Sequence, residues 1–199
     1  MRTGAIYHQI SRFVAGEWFM ESDVERRAYL FLLERALAKT DWLCFAYALM
    51  SSHIHLALIA GTCRLKEWLA PMHTDFALWI NQRRGNRIGS VFVKGPDEVE
   101  FQPRGVKRLI SYIHNNPVRA GVVPHPALSD WTSHQAYLGL RQPPSWLAIE
   151  RGLELSGFES GDALDDWMET VRIDRAALDE VRAQKRLNRG RPRRYLIAA

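Results

Sequence analysis

Two histidines separated by one apolar residue, His53-Ile54-His55, have the spacing in this chain most suggestive of chemistry. In an extended strand, side chains at i and i+2 leave the same face, so the two imidazoles would converge on one point. Neutral imidazoles so placed can bind a metal or can simply be hydrogen-bonded in a core, and the spacing alone leaves both readings open. A second constellation is Tyr112-Ile113-His114-Asn115-Asn116, in which Tyr112 and Asn116 are four apart and share a helix face. Pro117 disfavours helical geometry at Asn116, so the helix is expected to end there, with the amide oxygen able to reach a metal held by the strands. The competing reading is a core tyrosine and an asparagine helix cap. A tyrosine phenol, with a pKa of about 10, is a poor nucleophile at neutral pH. A nearby cation would favour its phenolate.

Those residues require a sheet and a helix to hold them. Ala5 to Val14 mixes β-branched and aromatic residues as strands do, and Ser22 to Lys39 follows with helical spacing and a Ser22/Glu25 capping box. Trp42 to Leu49 and His53 to Ala60 read as two strands joined by a tight turn at Ser51-Ser52. Arg64 to Gln82 returns to helical spacing and ends in a basic turn, Arg83 to Arg87. Ser90 to Phe101 holds two short candidate strands around Gly95-Pro96, and a last helix is expected from Pro103 to about Asn115. The order β-α-β-β-α-β-α predicts an α+β fold, a central antiparallel sheet with helices packed on it. Pro124-His125-Pro126 marks a boundary. The expected division is a catalytic domain over 1–123, a helical C-terminal extension over 124–184 and a basic tail over 185–199.

Composition fits one globular core plus an appendage: 199 residues, 47% hydrophobic and 25% charged. No stretch approaches a membrane span and no signal-peptide core follows Met1, so a cytoplasmic protein is expected. Cys44 and Cys63 lie far apart without a CxxC and suggest neither a disulfide framework nor a zinc site. The net charge of +5 favours a polyanionic partner, and the cations gather at the C-terminal end, where 185–194 carries six and no acid.

MSSHIHLALI followed by LISYIHNNPVRAGVV resembles the single-tyrosine HUH transposases of the IS200 type, and more narrowly the REP-associated tyrosine transposases. YHQISR near the N-terminus and DWTSHQAYLG at 130–139 extend the similarity, which covers roughly residues 5 to 140. One departure is Val91-Phe92-Val93-Lys94-Gly95-Pro96, where related proteins often carry a Gly-Arg-aromatic step. The resemblance implies the ferredoxin/RRM-like fold of HUH endonucleases, with His53, His55 and Asn116 as metal ligands and Tyr112 as nucleophile. It also implies a 5′-phosphotyrosine intermediate and a free 3′-hydroxyl, on single-stranded or hairpin DNA. Two imidazoles and one amide oxygen suit Mn²⁺ or Mg²⁺ and leave positions for a phosphate oxygen and water. Religation from a phosphotyrosine needs no nucleotide, and no GxxxxGK[ST] loop is present.

Arg83, Arg84, Arg87, Lys107, Arg108 and Arg119 are candidate phosphate contacts or ordinary surface charges. Arg189, Arg191 and Arg193 in the tail lie in a Gly-Arg-Pro run like the core of an AT-hook, or in a plain basic end. Three functions stay open on the residues: a metal-dependent nicking and strand-transfer enzyme, a domesticated non-cleaving DNA-binding protein, and a phosphodiesterase that uses metal-bound water. Monomer and homodimer are both compatible with the sequence.

Overall fold

The computed structural model describes residues 3–95 and 97–171. Apolar alternation builds the sheet. β1 (Ile6–Arg12), β2 (Leu43–Leu49) and β3 (His53–Ile59) are joined by β4 (Asp97–Phe101) in the order β2-β3-β1-β4, with every neighbouring pair antiparallel. The turn at Ser51-Ser52 is closed by a hydrogen bond from the Met50 amide to the His53 carbonyl, at 2.9 Å. The register sets Ile10 opposite His55 and His8 opposite Ala57, so His8 and His55 are diagonal neighbours.

Two helical layers cover the two faces. Leu56 and Leu58 of β3, with Tyr7 of β1, form one core with α1 (Asp23–Leu37) and α2 (Leu65–Arg83). Ala57 and Ile59, with Ile6, form the other with α3 (Val106–His114). Because strand side chains alternate, His53 and His55 share the face of Ala57 and Ile59, the face that α3 covers. The fold is the α+β class that the element order predicts.

Three details differ from the sequence reading. Among the described residues between 90 and 101 one strand forms, while Phe92 makes an isolated bridge to Phe13. Pro103–Gly105 is a 3-10 turn ahead of α3. Pro117 does not leave Asn116 outside helical structure: α3 ends at His114, and Asn116 opens a four-residue helix, α4 (Asn116–Arg119). In that first turn a proline forfeits no hydrogen bond, since the first amides of a helix have no partner within it.

Beyond residue 123 the chain returns to the sheet. Leu49 N–H donates to the Trp131 carbonyl at 2.8 Å, Ser133 N–H to the Tyr47 carbonyl at 3.0 Å, and Ala148 N–H to the Cys44 carbonyl at 2.9 Å. These bonds occupy the free edge of β2, which would otherwise offer an unpaired ladder. α5 (His134–Tyr137), α6 (Ile149–Ser156) and a helix over 161–171 complete the second layer, and Leu164 and Met168 are buried beside Leu109 and Ile113. Among the described residues no helix is long and apolar enough to cross a membrane.

Candidate metal centre and nucleophile

β3 and α3 bring the two sequence constellations together. His53 and His55 stand with ring centroids 4.8 Å apart, and the Tyr112 ring is 5.5 Å from that of His55, edge to face. His55 is almost fully buried. Its Nδ1 is 2.9 Å from Nε2 of His8, while its own Nε2 is buried without a hydrogen bond. His53 is only partly buried, and its Nδ1 meets the Ser52 hydroxyl at 3.0 Å, which leaves Nε2 as its free nitrogen.

Asn116 completes the group. Its amide nitrogen donates to the Tyr112 carbonyl at 2.9 Å, so the oxygen is the atom available to the imidazoles, whose charged forms it favours. Burial lowers the pKa of both rings, that of His55 to about 2, and the neighbouring cationic groups push the same way. Both imidazoles are therefore neutral at physiological pH, the state in which they ligate metals. An orphaned buried nitrogen, a second free imidazole nitrogen and an amide oxygen make a donor set that a divalent cation fits.

Tyr112 lines a cleft of about 870 Å³ with His8, Arg108, Arg119 and, from the helix over 161–171, Trp167 and Met168. The Arg119 guanidinium lies 5.0 Å over the Tyr112 ring, and Lys107 lies 5.2 Å over the Trp167 ring. The other three candidate cations lie behind the sheet at the end of α2, where each meets an acid. Arg83 Nε is 3.1 Å from Glu25, Arg84 is 3.2 Å from Glu21, and Arg87 is 2.8 Å from Glu17. Arg189, Arg191 and Arg193 lie outside the described residues.

A second group has no signature in the sequence. His125, His134 and Asp165 offer ligand atoms within 4.8 Å of one another and could hold a metal ion. Asp165 is thirty-one residues beyond His134, on the helix over 161–171, so no local spacing betrays the set.

Fold and site together define an α+β protein whose sheet presents an imidazole pair to a tyrosine on a covering helix. No protein-family model matches the chain, nor does any curated protein. A solved structure of similar fold is that of a REP-associated tyrosine transposase bound to a REP hairpin. It has a TM-score of 0.59 at 10% identity, over 74% of this chain and 87% of that one. At that identity the likeness shows the fold.

Proposed function

We propose that this protein is a metal-dependent enzyme that nicks and transfers single-stranded DNA through a covalent tyrosine intermediate, as a member of the REP-associated tyrosine transposases. The observation that carries the reading is the approach of the Tyr112 ring to His55, whose Nε2 is buried and unpartnered beside His53 and Asn116. The solved relative in fold is a tyrosine transposase held on a hairpin, which supports hairpin-bearing DNA as the substrate class.

His53, His55 and Asn116 would hold Mg²⁺ or Mn²⁺, which supplies charge neutralisation at the scissile phosphate and favours phenolate at Tyr112. The rest is work for the chain's own residues. Tyr112 Oη attacks the phosphorus, a bond forms from the phenolic oxygen to the 5′-phosphate, and the 3′-oxygen leaves as a hydroxyl. Arg119, stacked over the Tyr112 ring, and Arg108 in the same cleft bind phosphate oxygens. His8 holds the His55 ring in place. This machinery lies within the proposed catalytic unit, residues 1–123. The proposed extension adds Trp167 to the cleft wall, and the tail over 185–199 adds salt-sensitive DNA affinity.

The test is Tyr112→Phe assayed on a REP-type hairpin with Mn²⁺. It should abolish the protein-DNA adduct while leaving hairpin affinity within a few-fold. Cleavage that persists in Tyr112→Phe would indicate hydrolysis by water. Wild-type protein that binds hairpin but never cleaves would mark a DNA-binding protein without the reaction.

A further inference from the structure

Three side chains from separate parts of the C-terminal half meet behind α3. His125 precedes a 3-10 turn (Pro126–Leu128), His134 opens α5, and Asp165 stands on the helix over 161–171. Asp165 Oδ1 is 3.1 Å from Nε2 of His134 and 3.7 Å from Nε2 of His125. Two ligands of one tetrahedral zinc, each about 2.0–2.1 Å from the ion, stand about 3.3 Å apart, which the two Asp165 distances bracket, while all three donor atoms lie within 4.8 Å of one another.

The unpartnered Nε2 of His134 is the second observation. His134 is fully buried, and its Nε2 has no aligned hydrogen bond despite the nearness of Asp165. Its other nitrogen is engaged: Nδ1 lies 3.0 Å from Nδ1 of His114, whose Nε2 lies 2.8 Å from the Ser133 hydroxyl. In the tautomer in which His134 Nδ1–H donates to His114 and His114 Nε2–H donates to Ser133, Nε2 of His134 carries the lone pair that a metal would take. Outer partners that fix the tautomer in this way are the usual support of a metal-bound imidazole.

From this geometry we infer that His125, His134 and Asp165 form a zinc site, separate from the His53–His55 centre, that staples the helix over 161–171 to the sheet domain. Its donors are two imidazole nitrogens and one carboxylate oxygen, with a water as fourth ligand, a set that differs from the proposed Mg²⁺/Mn²⁺ site in having a carboxylate in place of the amide oxygen. The staple bears on the cleft, because Trp167 and Met168 sit two and three residues beyond Asp165 and wall the pocket of Tyr112. On loading, the His125 ring proton moves to Nδ1, which gives up the 3.2 Å bond that it accepts from the Ala127 amide.

The experiment is a Zn²⁺ titration of the chelator-treated full chain against a chromophoric competitor. It is run on wild type, His125→Ala, Asp165→Asn and His53→Ala/His55→Ala, with melting curves of each apo protein as folding control. One tight Zn²⁺ should survive His53→Ala/His55→Ala and weaken by roughly 100-fold or more in His125→Ala and Asp165→Asn. Hydrogen exchange of residues 161–168 should slow on loading while that of the Ala127 amide quickens. Tight zinc that is lost with His53 and His55 but kept in His125→Ala overturns the site, as does a folded wild type that binds no zinc tightly. His125 is partly exposed, so its substitution leaves the core packed and keeps the comparison decisive.

Discussion

Nε2 of His8 lies 2.9 Å from Nδ1 of His55, a contact made between diagonal neighbours on adjacent strands. For His55 to offer Nε2 to a metal, its ring proton must sit on Nδ1, and His8 is the group that accepts it. The two rings also stack at 5.0 Å, which fixes the plane of the ligand as well as its tautomer.

His8→Ala should therefore weaken Mn²⁺ binding by roughly 10–100-fold, the usual cost of losing a partner behind a ligand. His8→Gln, which can still accept from Nδ1, should recover part of it. Calorimetric titration of the three proteins decides the point, and equal affinities would separate His8 from the centre.

The candidate cations should divide by layer. Arg119→Ala removes a charge stacked on Tyr112 and should lower hairpin affinity, with the salt dependence shallower by about one counterion. Arg84→Ala breaks the contact with Glu21 behind the sheet and should cost roughly 0.2–1 kcal/mol of stability without changing that salt slope. Binding isotherms at several salt concentrations, paired with urea melts, distinguish the two. An Arg84→Ala protein with the shallower slope would contradict the division.

Docking of the last described helix depends on Gly161. A methyl group there would stand 1.8 Å from the backbone oxygen of Tyr137, a collision that only a shift of the helix relieves. Gly161→Ala should cost about 1–3 kcal/mol, as overpacking does, and should loosen the Trp167 wall of the cleft. A urea melt of the variant checks the first effect and Trp167 fluorescence the second, ideally in a background with fewer tryptophans. An unchanged midpoint would show that the contact is not rigid.

His73 gives a pH signature on the opposite face of the sheet from His53 and His55. Its ring stacks on Phe92 at 4.0 Å, Nε2 meets Ser11 and Tyr29 at 3.2 Å each, and burial lowers its pKa to about 3. An unfolded histidine titrates at about 6.5, so between those values the unfolded chain binds a proton that the folded chain refuses. The contribution is fully present above pH 6.5 and is lost as pH falls toward 3, at up to about 1.4 kcal/mol per pH unit. His73→Gln should lose that share of the slope between pH 6.5 and 5 in denaturant melts. Parallel slopes for the two proteins would be the contrary result.

The sheet, its helices and the two chemical constellations were legible because each rests on local periodicity. Alternation in His53–Ile59 places both histidines on one face, and a four-residue step brings the Asn116 amide to the Tyr112 carbonyl across the break between α3 and α4. What escaped the sequence depends on contacts across many residues. Residues 131–133 and 147–148 close the free edge of β2 through backbone bonds that no side-chain pattern announces. The acid partners of Arg83, Arg84 and Arg87 lie some sixty residues or more upstream, and Asp165 joins His125 and His134 only through the packing of its helix. Pro117 signals a helix stop but equally suits a helix start, and the restart at Asn116 turns on that ambiguity.

The most direct measurement of the proposed chemistry uses one hairpin oligonucleotide labelled at either end, incubated with protein and Mn²⁺ and resolved on a denaturing gel. Attack by Tyr112 should move the 3′-end label to the protein and release the 5′-end label as a shorter strand with a free 3′-hydroxyl, and Tyr112→Phe should do neither. A labelled adduct formed equally by Tyr112→Phe, or cut strands with no adduct in wild type, would contradict Tyr112 as the nucleophile.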